Sequence, residues 1–389
     1  MTTLAGLFRS ERAAAALLLA AAVLGLVLAN TGVGPALQAL QSAVLGPTTF
    51  DLDLTVGEWV GDGLLAVFFF VVAVELRHEL TSGELSSWHR ALRPAIAAAC
   101  GVAVPAGVYL VIAAGSGFGA GWPVPTATDI AFSLGVLAVF GRGLPSRIRV
   151  FLLALAVIDD LIAIVIIAVF FTRDAVPVDL VFAVVAIAVF GMLSTLLARR
   201  TLTPWARGTV GAGMVLVGVL TWMLVHGSGV NATIAGVALG LVMSRGPARR
   251  AAHALEPWTN GVILPLFAFS AALVTIPNVP PSRLSAPFWA ILVALPVGKL
   301  LGITVGGWLG AHVGPRAERH PFDPQDVLVV ATLGGVGFTI SLLMNQLAFA
   351  SDPVVRDQGT LAVLLGSCVA LVASAFAVRM RVRAYRRIG

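Results

Sequence analysis

The sequence predicts an all-α polytopic membrane protein of about twelve transmembrane helices. Three observations support this class: 58% of the 389 residues are hydrophobic, only 11% are charged, and the mean hydropathy is +0.97. Soluble globular domains carry about 25% charged residues, so an ordinary soluble enzyme or binding module is excluded. The net charge of +6 comes from arginines between apolar runs, where membrane topology explains it without nucleic acid.

The predicted spans follow from length, because a membrane-spanning helix needs about 20 mostly apolar residues. The twelve apolar segments are 13–30, 59–76, 94–114, 121–141, 150–172, 180–198, 208–224, 227–243, 257–276, 286–311, 326–349 and 359–379. All arginines except Arg173, Arg283 and Arg356 fall in alternate loops or termini. Positive residues in short loops stay in the cytoplasm, so we expect both termini on the cytoplasmic side.

The longest outer loop predicts a small β-hairpin. From Phe50 to Val56, with Asp51 as its first polar residue, apolar and polar residues alternate, which is the period of a half-exposed strand. We expect an extracytoplasmic hairpin over 45–58, with an irregular acidic loop as the alternative. An isolated hairpin is marginal in water, so pairing with the hairpin of a second protomer is expected.

Four ionisable residues lie deep inside apolar segments: Asp129 in the fourth, Asp159 and Asp160 in the fifth, and Lys299 in the tenth. Each charge at such a depth disfavours insertion by about 2.5–3.5 kcal/mol, so these residues are functional candidates. Lys299 is the only lysine in the chain, and a buried ammonium, unlike a guanidinium, can lose its proton. A purely structural salt bridge is the alternative, but it leaves the second aspartate without a role.

Residues that interrupt helices stand beside these charges. Prolines and threonines, Thr128 among them, precede Asp129, and Gly334, Gly335 and Gly337 lie in the middle of the eleventh segment. Irregular backbone survives at membrane depth only where protein or a water-filled cavity satisfies it, and transporters place ion sites there. We therefore predict that helices 4 and 11 are broken, with close helix packing as the alternative reason for the glycines.

Each break falls in the second helix of a three-helix set, helices 3–5 and helices 10–12. Three spans reverse the orientation, so the two sets predict inverted-topology repeats. The expected organisation is a single transporter domain over 1–389. Its parts are the hairpin 45–58, an inverted-repeat core at 94–172 and 286–379, and the remaining helices at 59–76 and 180–276, which include the interface.

Carboxylates and a threonine hydroxyl are hard oxygen ligands, suited to Na⁺, Li⁺ or H⁺. We expect Na⁺ or Li⁺ to compete with protons at Asp159 and Asp160, with Thr128 as a further ligand and no cofactor. Asp129 and Lys299 are expected to offset the partial charges of the half-helix termini. Lys299 is also expected to pair with Asp159 in the absence of a cation. With alternating access, such competition produces antiport.

The residues around these charges resemble the NhaA family of bacterial Na⁺/H⁺ antiporters, and the resemblance covers nearly the whole chain. The segments that carry it are 127–135 (ATDIAFSLG), 156–161 (AVIDDL), 298–303 (GKLLGI) and 335–341 (GVGFTIS). The resemblance implies a homodimer in the bacterial cytoplasmic membrane, joined through the hairpin. It also implies electrogenic exchange of Na⁺ or Li⁺ for more than one proton, serving pH and sodium homeostasis.

Two positions depart from the family pattern. Many pH-regulated members have a histidine where Asn231 stands and an acidic residue near Ala252, so an alkaline pH switch is in doubt. Glu75, His78 and Glu79 at the end of the second span are candidate gating groups, with simple interfacial anchoring as the alternative.

Two other function classes remain as alternatives at this stage. An intramembrane aspartyl protease needs two aspartates on adjacent membrane helices, but it has no use for a lysine or a broken eleventh helix. A sodium-coupled symporter on a related scaffold would need polar substrate contacts beyond the cation site, and the sequence offers none.

Overall fold

The computed structural model of the chain describes most of its residues. These are 11–47, 52–82, 86, 88–172, 176–199, 203–276, 280–312 and 323–388. Arg173, and Phe50 and Asp51 of the predicted strand, lie outside the described residues.

Helices dominate the described residues, because a helix in lipid satisfies all its backbone hydrogen-bonding groups internally. In chain order the first are α1 (Glu11–Ala29), α2 (Gly34–Gln41), α3 (Leu65–Ser82), α4 (Trp88–Ile112), α5 (Ile130–Phe140), α6 (Ser146–Phe170), α7 (Pro177–Leu197) and α8 (Pro204–Gly227). They are followed by α9 (Thr233–Val242), α10 (Arg245–Trp258), α11 (Leu264–Ala271), α12 (Ala286–Val293), α13 (Lys299–His312), α14 (Pro324–Gly334), α15 (Phe338–Ala348) and α16 (Pro353–Ile388).

The predicted class, an all-α polytopic membrane protein, is confirmed. Among the described residues, 8 helices are long and apolar enough to cross a membrane, or up to 10 if each bent pair counts as one span. Every predicted span overlaps a helix, but the eighth and ninth are shorter than predicted. Helix α9 has only 10 residues, about 15 Å, and the segment at 257–276 begins inside the arginine-rich α10. The number twelve stays a prediction.

A small antiparallel hairpin is present where the sequence predicted one. Strand β1 (Val44–Leu45) pairs with β2 (Leu54–Thr55), so the pairing begins one residue before the predicted segment. The second strand is shorter than the alternation suggested, because a helical turn starts directly after it. Thr55 caps this turn, and its hydroxyl and the Glu58 carboxylate form a reciprocal capping box.

The contacts divide the chain into two compact units. The first unit contains the hairpin, α3, α7, α8, α9 and α10. Within it α9 lies close against α3, because glycines face the neighbouring backbone. A Cβ on Gly236 would lie 1.9 Å from the Ala66 carbonyl oxygen, and one on Gly240 would lie 2.6 Å from that of Phe70. Such small residues allow membrane helices to approach closely.

The second unit contains α1, α4, α5, most of α6, and α12 to α16. Helix α13 packs against α4 through a stripe of glycines four residues apart: Gly298, Gly302, Gly306 and Gly310. A Cβ on Gly302 would lie 2.3 Å from the Cys100 carbonyl oxygen of α4. This close approach fixes where α13 places its side chains, as small-residue contacts do in membrane proteins.

A π-helical turn, Ala294–Gly298, separates α12 from α13. Pro296 lies within this turn, and proline cannot donate the backbone hydrogen bond of a regular helix. Single π-helical turns often occur at functional sites. This one ends directly before Lys299, so the tenth span changes its helical register at the residue that the sequence singled out.

Candidate ion-exchange site

The predicted break of the fourth span is present. A 3₁₀ turn, Val124–Thr126, is followed by extended backbone at Ala127, which has φ −81° and ψ 154°. Asp129 is also extended, and α5 begins directly after it. The Asp129 carbonyl oxygen accepts the first hydrogen bond of α5, from the Ser133 N–H over 3.1 Å. The extended backbone from Ala127 to Asp129 leaves other polar groups of this stretch available to partners outside a helix.

The predicted break of the eleventh span is also present. Helices α14 and α15 meet at a bend of 49°. Gly334 ends α14, Gly335 is its C-cap, and Gly337 is the N-cap of α15. A Cβ on Gly337 would lie 3.0 Å from the carbonyl oxygen of Ala127, so the glycines serve both the break and the close approach of the two interrupted segments.

Hydrogen bonds join the two breaks. The Asp129 N–H donates to the Val336 carbonyl oxygen over 2.6 Å, and the Thr128 hydroxyl donates to that of Gly334 over 2.8 Å. These carbonyls lie at the end of α14, where a helix leaves acceptors without intrahelical partners. The two interrupted segments therefore satisfy each other's backbone groups.

The carboxylate of Asp129 lies at the N-termini of both half-helices. It accepts hydrogen bonds from the Phe132 N–H at 3.2 Å, from the Thr339 N–H at 3.2 Å and from the Thr339 hydroxyl at 2.6 Å. Phe132 is in the first turn of α5 and Thr339 in the first turn of α15. A negative charge at this place meets the positive ends of two helix dipoles.

Lys299 contacts Asp159. Its ammonium lies 2.6 Å from Asp159 Oδ2, and the two side chains are only 1% and 2% exposed. This is the pairing expected in the absence of a cation, and it places the ammonium on a carboxylate; compensation of a half-helix end by Lys299 stays a prediction. The last carbonyls of α14 accept hydrogen bonds from hydroxyls: Gly334 from Thr128, and Leu333 from Ser133 over 2.8 Å. A neutral hydroxyl satisfies a carbonyl without adding a charge, and the ammonium stays on the carboxylate.

Asp160 is buried beside this ion pair, at 3% exposure, and interacts electrostatically with Lys299. Thr128 interacts electrostatically with the Asp159 carboxylate, although its hydroxyl proton is donated to the Gly334 carbonyl oxygen. The carboxylates of Asp159 and Asp160 and the hydroxyl of Thr128 thus lie together where the two breaks cross. Within the described part of the chain, Asp159 Oδ1 accepts no hydrogen bond.

The candidate gating groups belong to the first unit. Glu75, His78 and Glu79 lie on α3, where Glu75 and His78 are exposed. Glu75 experiences the like charges of Glu79 and of Glu256 on α10. The acidic patch is therefore built from two helices, and Glu256 is a member that the sequence reasoning missed.

The two positions that depart from the family pattern have structural roles. The Asn231 side-chain oxygen accepts hydrogen bonds from the N–H of Thr233, at 3.1 Å, and from its hydroxyl. Asn231 therefore satisfies backbone at the start of α9. Ala252 is buried in the apolar core of the first unit.

Sequence reasoning also missed Ser133 and Thr339. Both lie within the segments that carry the family resemblance, but neither was assigned a role there: Ser133 is one turn after Asp129, and Thr339 is two residues after Gly337. A signal was available, because a hydroxyl in an apolar run next to a break is a ready partner for free backbone groups.

Membrane-length helices that are interrupted around a buried lysine and two carboxylates are typical of secondary ion transporters, which place their ion sites at such breaks. Comparison with known proteins identifies which kind. The chain matches the family model described as Na⁺/H⁺ antiporter 1 over residues 5–378, and it belongs to this family.

Curated relatives cover almost the whole chain. It is 57% identical to the Na⁺/H⁺ antiporter NhaA 2 of Clavibacter michiganensis over 384 residues, 98% of this chain and 93% of that protein. It is 46% identical to the Na⁺/H⁺ antiporter NhaA of Tropheryma whipplei over 96% of this chain and 94% of that one. The NhaA of Frankia casuarinae is 43% identical over 99% of this chain and 88% of its own length.

Proposed function

We propose that the chain is an electrogenic secondary antiporter that exchanges Na⁺ or Li⁺ for protons at Asp159 and Asp160. The observation that carries the proposal is the buried Lys299–Asp159 ion pair beside Asp160 and Thr128. Family membership supports Na⁺ and H⁺ as the transported ions. It does not favour a symporter or a protease.

Charge balance supports competition at this site. In a medium of low dielectric constant, a buried group of charges is tolerated only when opposite charges are paired. A cation that enters between Asp159 and Asp160 adds one positive charge next to the Lys299 ammonium, and the release of protons from the site restores the balance. Cation and protons therefore exclude each other, and alternating access converts this exclusion into exchange.

Each remaining residue has a proposed role. Thr128 supplies a hydroxyl ligand and links the site to α14. Asp129 fixes the N-termini of the half-helices, and Gly334, Gly335 and Gly337 allow the break. Glu75, His78 and Glu79 form the cytoplasmic gate, with no cofactor required.

We further propose the organisation expected from the sequence. The inverted repeats at 94–172 and 286–379 form the core of one transporter domain in the cytoplasmic membrane, with both termini inside. The exposed arginines at the end of the last helix, Arg379, Arg383, Arg386 and Arg387, contact anionic lipid headgroups. Such an exchanger serves pH and sodium homeostasis.

A homodimer joined through the hairpin is also proposed. Val44 and Leu45 of β1 are 58% and 56% exposed, although both are apolar. An exposed strand edge can pair with the same strand of a second copy. Replacing both residues by lysine should release monomers, measured by light scattering in detergent, and retention of the dimer would contradict the proposed interface.

The test of transport uses purified protein in liposomes with an imposed pH gradient and a luminal pH dye. Adding Na⁺ or Li⁺ should change the dye signal, whereas K⁺ and choline should not. Asp160→Asn should abolish the response. A response to no cation, from protein that elutes as a folded species, would reject antiport.

A further inference from the structure

A second charge cluster lies in the second unit, around a buried carboxylate–guanidinium pair, and has no part in the exchange chemistry described above; its outer member, Arg147, is 48% exposed. Its centre is Asp326 in the first turn of α14, which is 0% exposed. Arg381 Nε of α16 donates to Asp326 Oδ1 over 2.7 Å. Arg147 Nη2 of α6 donates to Oδ2 over 3.1 Å, and the Tyr385 hydroxyl of α16 donates to Oδ2 over 2.8 Å. We call Arg147, Asp326, Arg381 and Tyr385 the Asp326 cluster.

The guanidinium of Arg381 donates hydrogen bonds to three residues at the beginning of α14. Besides Asp326, it donates through Nη1 to the Gln325 side chain over 2.6 Å and through Nη2 to the Asp323 carboxylate. Its Cζ atom lies 4.4 Å from the centroid of the Tyr385 ring. Several directional contacts from one rigid fork fix orientation as well as distance, so α14 is held at a defined angle to α16.

A buried ion pair is a weak source of stability, because desolvation of the two charges offsets their attraction. An apolar core would hold these helices together at least as well. The cluster is therefore better explained by the geometry that it imposes than by the free energy that it supplies. The geometry that depends on the cluster is the position of the helices that it joins.

Of the three helices that the cluster joins, α6 and α14 lead to the exchange site, and they are tied by Arg147 to Asp326 and by Arg147 to the Tyr385 hydroxyl of α16. From Asp326 to Gly334, α14 covers about 12 Å, and from Arg147 to Asp159, α6 covers about 18 Å. At those far ends the helices meet again: a Cβ on Gly334 would lie 3.9 Å from Leu155 Cδ2 of α6. The Thr128 hydroxyl donates to the Gly334 carbonyl oxygen, and Thr128 also interacts electrostatically with Asp159. Helices α6 and α14 thus form a closed frame, tied at one end by the cluster and at the other by Thr128.

We propose that the Asp326 cluster positions α14 relative to α6 and thereby holds Thr128 at Asp159, which makes Asp326 and Arg381 positioning residues for cation binding. The inference rests on the proposed function of the Asp159 site. We expect loss of the cluster to lower the affinity for the cation. Displacement of the Thr128 ligand weakens cation binding, whereas the exchanging carboxylates of Asp159 and Asp160 remain.

The first test compares Arg381→Met with Arg383→Met in the liposome assay. Arg383 is an exposed arginine on the same helix, so its replacement removes the same charge without touching the cluster. Arg381→Met should raise the half-maximal Na⁺ concentration about tenfold or more, as loss of outer ligand support does at metal sites. Arg383→Met should leave it unchanged.

Two further variants separate positioning from stability. Tyr385→Phe removes only one hydroxyl and should fold, with a smaller rise in the half-maximal Na⁺ concentration. Arg381→Lys keeps the positive charge but removes the planar guanidinium with its several N–H donors. It should recover part of the Na⁺ affinity that Arg381→Met loses. If Arg381→Met and Tyr385→Phe lower only the thermal unfolding temperature and leave the half-maximal Na⁺ concentration unchanged, the inference is wrong.

A readout that does not depend on transport distinguishes this inference from the proposed function. Hydrogen–deuterium exchange should increase in Arg381→Met over residues 324–334 and also at Thr128 and Asp129, but not in Arg383→Met. If wild type transports no cation, the proposed function fails while this measurement still tests the frame. Unchanged exchange at Thr128 would overturn the frame.

Discussion

Gly302→Ala tests whether helix packing sets the position of Lys299. The added Cβ would lie 2.3 Å from the Cys100 carbonyl oxygen, whereas ordinary contact begins at 3.4 Å. Helices α13 and α4 must therefore separate by about 1 Å. Overpacking of this kind costs about 1–3 kcal/mol, and the better helix propensity of alanine returns about 0.5–1 kcal/mol.

The displacement should reach the ion pair, because Lys299 lies one turn before Gly302 on the same helix. Its 2.6 Å contact with Asp159 does not tolerate a shift of about 1 Å, since N–H···O hydrogen bonds end near 3.2 Å. We expect a lower unfolding temperature in detergent together with a changed half-maximal Na⁺ concentration in liposomes.

Gly107→Ala is the matched control. Gly107 lies on α4, and a Cβ there would meet no atom within 4 Å. This variant should keep its Na⁺ response and gain slightly in unfolding temperature. If Gly302→Ala and Gly107→Ala behave alike in both assays, the glycine stripe does not position Lys299.

Three further predictions concern single side chains. Asp129→Ala removes the acceptor of three hydrogen bonds, each worth about 1.5–3 kcal/mol when the partner is charged, and should lower the unfolding temperature strongly and abolish exchange. Ser133→Ala leaves the Leu333 carbonyl without its hydroxyl donor, and should cost about 1–3 kcal/mol, measured by thermal unfolding, with exchange retained. The Gln325 N–H and then Arg381 hold the pKa of Asp323 below its ordinary value. Its stabilising contribution is therefore present above the ordinary pKa and is lost as the pH falls through the depressed one. The difference in unfolding temperature between wild type and Asp323→Asn should shrink on acidification.

Each of these has an outcome that contradicts it. Full exchange activity in Asp129→Ala would show that the half-helix termini need no carboxylate. Loss of transport in a stable Ser133→Ala protein would give that hydroxyl a role beyond capping. A pH-independent difference between wild type and Asp323→Asn would show that the pKa of Asp323 is not depressed in the folded protein.

The four buried ionisable residues could be predicted from the sequence, because an ionisable residue stands out within an apolar segment. Asp129, Asp159, Asp160 and Lys299 each interrupt an apolar run, and proline or glycine nearby marks the breaks. Alternation of apolar and polar residues also located the hairpin, and the length of the apolar runs located most helices. These features are local, so one stretch of chain suffices to see them.

Tertiary contacts were not accessible in this way. Asp326 lies within a turn of the start of α14 and looked like an ordinary residue of a helix end, yet Arg381, 55 positions later, buries it. The Lys299–Asp159 pair was expected, because both groups are charges deep in apolar segments. The hydroxyls of Thr128 and Ser133, by contrast, were not expected to satisfy the last carbonyls of α14. Pairings across long sequence separations depend on packing, which composition and spacing do not encode.

The proposed exchange requires the cation and protons to compete at Asp159 and Asp160. The most direct measurement is calorimetric titration of Na⁺ into purified protein in two buffers of different ionisation enthalpy, which counts the protons released per Na⁺ bound. The account predicts proton release in wild type and no Na⁺ binding in Asp160→Asn. Na⁺ binding with the same heat in both buffers would contradict it, because the cation would then bind without displacing protons.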